Sequence, residues 1–339
     1  MDRLQKYIIS NLSILFLSIF SALFTIASVV FLIKLATYTA IIQLTIWEMT
    51  KLYIFVVPEL LFFTLPITFF VAAALTIFKL SNDNEIVVLF ALGIHPKFIL
   101  KILLKPALLL SALLFFNFFI IFPHAKVLSK NFISYKKSEA KFNLAASEFG
   151  HKFGDWLLYL GKKNDDKTYS DVFLFNKKAE EEILIGAKEA YIINEGGILK
   201  LKLIDGEGYS YSKEKFSQID FEVMYINDTL TSDLTTYRTP IEYWLSKEKR
   251  EKKTTKFITN SLLSIFPAIS LFLVLSISIV HVRHQKNKIY LYLLLSIVTY
   301  YGATLGLQKA FVFYTIPIVI IAWLTTTYTI YRKAIVERF

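Results

Sequence analysis

Hydrophobic positions in this chain fall into two groups of long apolar stretches, separated by a polar region at residues 126–256. Each stretch has the roughly 20 residues that an α-helix needs to cross about 30 Å of hydrocarbon. The pattern predicts an α-helical polytopic membrane protein with six transmembrane helices and one inserted water-facing domain. The predicted spans are residues 7–33, 52–78, 106–125, 257–282, 289–308 and 310–331.

The periodicity of the polar region changes along its length. Residues 126–142 carry apolar side chains at helical spacing, so we expect the third span to continue out of the membrane as a helix. From Trp156 onward the period is two, which predicts several short strands in an all-β sandwich or jelly roll. The predicted strands are residues 156–160, 172–175, 182–185, 191–193, 198–204 and 221–226. Turn signals separate the predicted strands at Gly161 and at residues 194–197, 206–208 and 227–228.

Composition agrees with a membrane protein and excludes several kinds of chemistry. Hydrophobic residues make up 55% of the chain, above the share of an ordinary soluble domain. There is no cysteine, which excludes disulfides, thiol catalysis and cysteine-ligated metal. The chain also contains no P-loop motif, so ATP hydrolysis through a P-loop must come from a partner, and we expect no cofactor of its own. The inserted domain shows no catalytic triad, which favours a binding or docking module over an enzyme.

The net charge of +11 is distributed unequally between the loops. In the termini and short loops, twelve Lys and Arg residues lie on one predicted side of the membrane and three on the other. The positive-inside rule therefore predicts cytoplasmic termini and a domain at 126–256 on the opposite side. The twelve are Arg3, Lys6, Lys79, Lys97, Lys101, Lys105, Arg283, Lys286, Lys288, Arg332, Lys333 and Arg338, and the three are Lys34, Lys51 and Lys309.

The loop between the second and third spans contains a short helix signal at about residues 82–92. Ser81 or Asn82 is a suitable N-cap, and Asp83 and Glu85 would complement the helix dipole in the first turn. Gly93 is placed to end this helix in a left-handed conformation. Its apolar residues suit either the membrane interface or a groove on a partner, while packing on its own bundle is the simpler alternative.

The chain resembles the LptF/LptG family of lipopolysaccharide export permeases. The resemblance rests on the six-span layout and is sharpest at residues 58–105. There, Leu65-Pro66, the stretch from Leu80 to Glu85 and the turn from Ala91 to His95 look like family motifs. The chain departs from the family pattern at Phe90 and His95, where an Arg and a Ser are common. Residues 57–60 and 149–150 look more like LptF than LptG.

The resemblance implies a function and a set of partners. The chain would be one permease of an ABC transporter that extracts lipopolysaccharide from the inner membrane of a Gram-negative bacterium. Its partners would be a second permease (LptG or LptF), an ATPase dimer (LptB), LptC and a periplasmic bridge of the LptA type. The family's substrate passes between the first and fifth spans and then onto a periplasmic jelly roll. The residues expected to meet the ATPase are Asp83, Glu85, Leu89, Phe90 and Gly93.

Three charged residues are candidates for contact with the lipid. Lys34 closes the first span, where the family places lysines that meet lipid phosphates, although snorkelling to the interface explains it equally well. Lys309 lies between the last two spans, where a topological anchor is the simpler interpretation. Glu59 is an acid inside a span, but Pro58 before it favours a helix-capping role in the first turn of the second helix.

Two other classes of function fit parts of the sequence. A membrane-anchored periplasmic β-domain scaffold or sensor would need no transport activity, although six spans exceed what an anchor requires. An enzyme acting on lipid headgroups would need acids and histidines gathered at one membrane face, and the sequence offers only Glu59 and scattered lysines.

Overall fold

The computed structural model describes residues 2–39, 44–142, 149–153, 156–163, 168–177, 181–195, 198–212, 215–227, 239–246, 250–279, 288–312 and 314–337. The chain divides into two compact units. The helical unit comprises residues 1–34, 53–126 and 237–339, and the second unit comprises residues 35–52 and 127–236.

Ten α-helices and two π-helical segments are described. The helices are α1 Asp2–Thr39, α2 Ile46–Asn82, α3 Glu85–Ala91, α4 Pro96–Phe116, α5 Phe122–Phe142, α6 Pro240–Leu245, α7 Arg250–Ile269, α8 Leu271–Ser278, α9 Ile289–Ala310 and α10 Thr315–Tyr331. A π segment, Asn117–Ile121, joins α4 to α5, and a second, Arg332–Val336, continues α10. Residues 126–142, expected to extend the third span as a helix, are helical in α5, as predicted.

Most of the predicted spans are long apolar helices. Four described helical segments are long and apolar enough to cross a membrane, and α7 with α8 forms a fifth if the pair is one span bent by 47°. The predicted sixth span begins at Thr315 instead of Ala310, and its 17 residues are at the lower limit for crossing a bilayer. The chain therefore has the helices of a polytopic membrane protein, and α7 and α8 are separated by a bend where one continuous span was predicted.

Helix α2 begins well before the point that the sequence suggested. It starts at Ile46, where the Glu48 carboxylate accepts a hydrogen bond from the Thr45 backbone N–H at 2.9 Å. Pro58 and Pro66 consequently lie inside the helix. The capping role predicted for Glu59 is therefore wrong, because that residue is more than three turns into α2.

The break between α7 and α8 lies at Ser270 and is fixed from α10. The Trp323 indole N–H donates to the buried Ser270 hydroxyl at 3.1 Å. The ring of Trp323 also packs on Tyr300 of α9 at 4.9 Å between centroids. In turn, the Tyr300 hydroxyl donates to the Leu262 carbonyl of α7 at 2.7 Å, which joins α7, α8, α9 and α10 around one bend.

The second unit contains a six-stranded antiparallel sheet in which neighbouring strands follow the order of the chain. Its strands are β1 Phe149–Phe153, β2 Trp156–Lys163, β3 Thr168–Lys177, β4 Glu181–Glu195, β5 Ile198–Ser212 and β6 Phe216–Asn227. The predicted all-β domain is confirmed, but the described strands form a meander without the crossovers of a jelly roll. The runs predicted at 182–185 and 191–193 are one strand, β4.

A line of irregular pairs runs across the sheet. Regular backbone pairing is interrupted at one row of residues that crosses the sheet, with one residue from each of the strands β2 to β6. The residues before and after this row are paired in the same register. The row consists of Gly161, Asp171, Lys188, Asp205 and Glu222. In this row, which we call the bulge row, Asp171 and Asp205 have positive φ values of 55° and 49°. The turns predicted at Gly161 and at 206–208 are therefore wrong, because these glycines lie inside strands where the chain bends. Of the other two turn signals, residues 196–197 and 228 lie outside the described residues.

The bulge row reverses which residues face the core of the sheet. Tyr169 and Val172 are both buried, as are Ala187 and Ala190, although each pair is three positions apart. Strict alternation would place the members of such a pair on opposite faces. The core of the second unit consists of Leu158, Leu160, Tyr169, Val172, Leu174, Ile185, Ala187, Ala190, Leu201, Leu203 and Ile226.

Candidate functional site

The short helix α3 lies between α2 and α4 and is set off by a tight turn on each side. Helix α2 runs through Asn82, and Asn84 then adopts a left-handed conformation with φ of 62° before α3 begins at Glu85. Ser81 and Asn82 therefore belong to the last turn of α2, and the N-cap predicted from them is wrong. Asp83 lies in the turn, and Glu85 is in the first turn of α3 as predicted.

The end of α3 follows the prediction more closely. Gly93 has φ of +81°, and its N–H donates to the Phe90 carbonyl at 2.9 Å. The Ile94 N–H donates to the Leu89 carbonyl at 3.0 Å, which completes a Schellman motif. The His95 side chain then caps α4 by accepting from the Lys97 N–H, with Pro96 at the first helical position.

One face of α3 is anchored to the helical bundle. Ile86 is fully buried in the bundle core, and the half-buried Phe90 packs against the same core. The half-buried Glu85 accepts a hydrogen bond from the Tyr7 hydroxyl of α1 at 3.0 Å between oxygens. Phe90 thus places an aromatic ring on the core-facing side of α3.

The opposite face of α3 is apolar and exposed. Val88 is 56% exposed and Leu92 is 73% exposed, at a spacing of one helical turn. Asp83 and Gly93 are also exposed, whereas Leu89 is half-buried. Sequence reasoning did not select Val88 or Leu92, although their spacing by four residues was the available signal. An exposed apolar face on a helix held by two turns is suited to binding a protein groove.

Helix α1 is connected to this site near its beginning. Ile8 and Leu12 enter the bundle core there, and Tyr7 bonds Glu85. No residue of the most apolar 18-residue stretch of α1 is buried. Near its far end, the Ser28 and Tyr53 hydroxyls are 2.8 Å apart, which links α1 to α2. The middle of α1 packs against the bundle core through partly buried side chains, which include Leu15, Phe16 and Ile19.

Glu59 acts electrostatically on a lysine that sequence reasoning passed over, Lys126 of α5. Lys256 of α7 acts on the same lysine as a like charge. The Lys126 nitrogen also lies 5.3 Å from the centroid of the Phe122 ring. Beside it, the Asn117 amide donates to the Pro58 carbonyl of α2 at 3.0 Å, which joins the π segment to the second span.

The other two candidate lipid contacts are on different helices. Lys34 is an exposed residue in α1. Lys309 belongs to the last turn of α9, but its side chain lies outside the described part of the structure.

The helices, the sheet and α3 together define a polytopic membrane protein with an inserted β domain and a short surface helix between two of its spans. The family model for the lipopolysaccharide export system permease LptF/LptG matches residues 6–330. The chain therefore belongs to the LptF/LptG family and is a component of lipopolysaccharide transport in the inner membrane. The match does not distinguish LptF from LptG. A comparison with curated proteins gives no match.

Proposed function

We propose that this chain is the membrane subunit of an ABC transporter in which α3 is the coupling helix. The observation that carries the proposal is the exposed apolar face at Val88 and Leu92 on a helix whose other face is fixed to the bundle. A groove on a cytoplasmic ATPase would cover that face, with Asp83, Leu89 and Gly93 at its margin. Since the chain has no P-loop, the free energy of ATP hydrolysis would enter through this contact.

The proposed orientation puts α3 and both termini in the cytoplasm and the sheet in the periplasm. It is supported by the excess of Lys and Arg in the loops on the α3 side. In this orientation α7 and α8 form one bent span and α10 is the sixth. The sheet would be part of a jelly roll that receives the lipid.

The proposed assembly pairs this chain with a second homologous permease and an ATPase dimer of the LptB type. Lipopolysaccharide would enter between α1 of one permease and α9 of the other, and would pass to LptC and a bridge of the LptA type. Lys34, exposed on α1, is the proposed contact for a lipid phosphate. Glu59 and Lys309 are further candidates, although Glu59 already acts electrostatically on Lys126 within the chain.

The docking proposal is tested by placing a charge on the exposed face of α3. We expect Leu92→Asp to lower recovery of the ATPase with the affinity-purified chain by about tenfold or more, since a carboxylate would be desolvated in an apolar groove. The control is Tyr290→Asp, at a residue 69% exposed at the start of α9, on the same proposed side of the membrane. Full recovery of the ATPase with Leu92→Asp would contradict the assignment of α3.

The lipid contact is tested by photo-crosslinking from position 34. A photoreactive residue in place of Lys34 should form an adduct with lipopolysaccharide in membranes, and one in place of the buried Ile86 should not. A chain that purifies as a homodimer with no ATPase and gives no lipid adduct would instead support a scaffold or sensor.

A further inference from the structure

The hydrogen bond between Tyr7 and Glu85 joins two elements with different proposed tasks. Tyr7 lies in the second turn of α1, and Glu85 is the first residue of α3. The donor–acceptor distance of 3.0 Å is within the normal range for a bond from a hydroxyl to a carboxylate oxygen. A carboxylate acceptor makes this bond stronger than one between neutral groups.

We propose that the Tyr7–Glu85 bond transmits movement of α3 to α1, so that Glu85 is a positioning residue for α1. This inference rests on the proposed function, in which α3 receives the stroke of the ATPase. It extends the task of Glu85 beyond the ATPase contact expected from the sequence, because its carboxylate accepts a bond from within the same chain.

The packing of α1 explains why one bond can matter there. The most apolar stretch of α1 contains no buried residue, and the middle of the helix packs against the bundle core only through partly buried side chains such as Leu15, Phe16 and Ile19. Ile8 and Ile86 are both fully buried in the bundle core. A displacement of α3 can therefore reach the first turns of α1 through the Tyr7–Glu85 bond and through the core that both helices enter.

The test uses the full chain assembled with the second permease and the ATPase in nanodiscs containing lipopolysaccharide. Two quantities are measured: the amount of ATPase bound, and the lipopolysaccharide released per ATP hydrolysed. Tyr7→Phe removes only the hydroxyl, and we expect it to lower lipid released per ATP about fivefold while ATPase binding stays unchanged. The control is Tyr290→Phe, which removes an exposed tyrosine hydroxyl at the start of α9.

Variants at Glu85 separate the bond from the charge. Glu85→Gln keeps an acceptor oxygen and removes the charge, so it should release more lipid per ATP than Tyr7→Phe. Glu85→Ala removes the same bond from the other side. Because both changes break one bond, Tyr7→Phe combined with Glu85→Ala should lose no more than Glu85→Ala alone.

Four results would overturn the inference. The first is an unchanged ratio of lipid to ATP in Tyr7→Phe. The second is loss of the ATPase from Tyr7→Phe, because the bond would then serve docking instead of transmission. The third is a larger loss of coupling in Glu85→Gln than in Tyr7→Phe, which would assign the effect to charge. Failure of the unaltered chain to bind any ATPase is the fourth, and it alone would also overturn the proposed function.

Discussion

Gly93 determines where α3 ends. Its φ of +81° is a conformation that costs an L-residue roughly 1–2 kcal/mol, while a Cβ there would meet no atom within 4 Å. We therefore expect Gly93→Ala to destabilise the end of α3 by about 1 kcal/mol through the backbone alone. Hydrogen exchange should show faster opening of the Ile94 amide, which bonds the Leu89 carbonyl.

The control for Gly93 is Gly302 in α9, where a Cβ would also meet no atom within 4 Å. Because Gly302 has helical geometry, Gly302→Ala should be neutral or stabilising by roughly 0.5–1 kcal/mol. Equal effects of the two substitutions on the unfolding temperature would show that the left-handed conformation is not what matters.

Gly206 illustrates the opposite case, in which space and not backbone conformation requires glycine. A Cβ at this position would overlap the Gly186 carbonyl oxygen and the ring of Phe221. Gly206→Ala should therefore destabilise the sheet by about 1–3 kcal/mol. At Gly208 the nearest atom would be 3.7 Å away, so Gly208→Ala is the matched control. Limited proteolysis of the sheet should distinguish the two, and similar cleavage rates would contradict the packing at the bulge row.

At the scale of single residues, the sequence predicted positions whose chemistry allows few alternatives. Gly93 and Pro96 are of this kind, because their backbone preferences are strong. Asn84 was missed because the left-handed conformation of a non-glycine residue depends on the turn around it. The capping role of Glu59 failed because proline is tolerated inside transmembrane helices, where neighbouring groups replace the lost backbone bond.

The element with the most distinctive geometry is the bent pair α7 and α8. Trp323→Phe should leave the buried Ser270 hydroxyl without its indole donor and destabilise the helical unit by about 1–3 kcal/mol. Ser270→Ala should have a similar effect, and the double variant should lose less than the two together. Thermal unfolding in detergent measures all three, and additive losses would show that the bond does not hold the bend.

Another prediction concerns the ion pair between α2 and α5 in the second unit. Lys136 and Glu48 are 2.5 Å apart with side chains only 12% and 19% exposed. Lys136→Met should destabilise the chain by about 1–3 kcal/mol, because Glu48 would lose a charged partner in a largely desolvated place.

Lys177→Met is the control for that pair. Lys177 bonds Glu182 at 2.6 Å, but both side chains are well exposed, so the loss should stay below about 1 kcal/mol. If thermal unfolding gave equal losses for the two variants, burial would not be the deciding factor.

Elements were predictable where their period was long and uninterrupted. The third span was expected to continue as a helix through residue 142 because helical spacing continues to that point, and α5 is helical through Phe142. Strand β4 was divided into two because Gly186, Ala187 and Ala190 weaken its apolar pattern. Gly186 can occupy the middle of the strand because the Phe173 ring of β3, its pairing partner, packs against it. This contact exists only once β3 and β4 are paired, so the sequence of β4 alone does not show it.

At the scale of the whole molecule, the proposed orientation can be tested with single cysteines, because the chain has none of its own. A membrane-impermeant maleimide should label Tyr211→Cys in intact spheroplasts, since Tyr211 is 61% exposed on β5. Lys97→Cys, at the exposed start of α4, should be labelled only after permeabilisation. The reverse pattern would place the sheet in the cytoplasm and contradict the charge-based orientation.

Hydropathy was sufficient to predict a multi-pass protein with an inserted β domain, because both features repeat over many residues. The bend at Ser270 was not predictable, because α7 and α8 together read as one apolar stretch and the bend depends on Trp323 of α10. The exposed face of α3 was missed for a similar reason, since only packing decides which of its apolar residues face the core.

The bulge row has a consequence for anyone who scans the sheet with site-specific crosslinkers. In β5 the core-facing positions are odd-numbered at Leu201 and Leu203 but even-numbered at Gly208, and in β3 they change from Tyr169 to Val172 and Leu174. A scan of every second residue would therefore report the core on one side of the row and the solvent on the other. The scanning frame has to be shifted by one at Asp171 and Asp205, or one continuous core-facing stripe would appear as two unrelated ones.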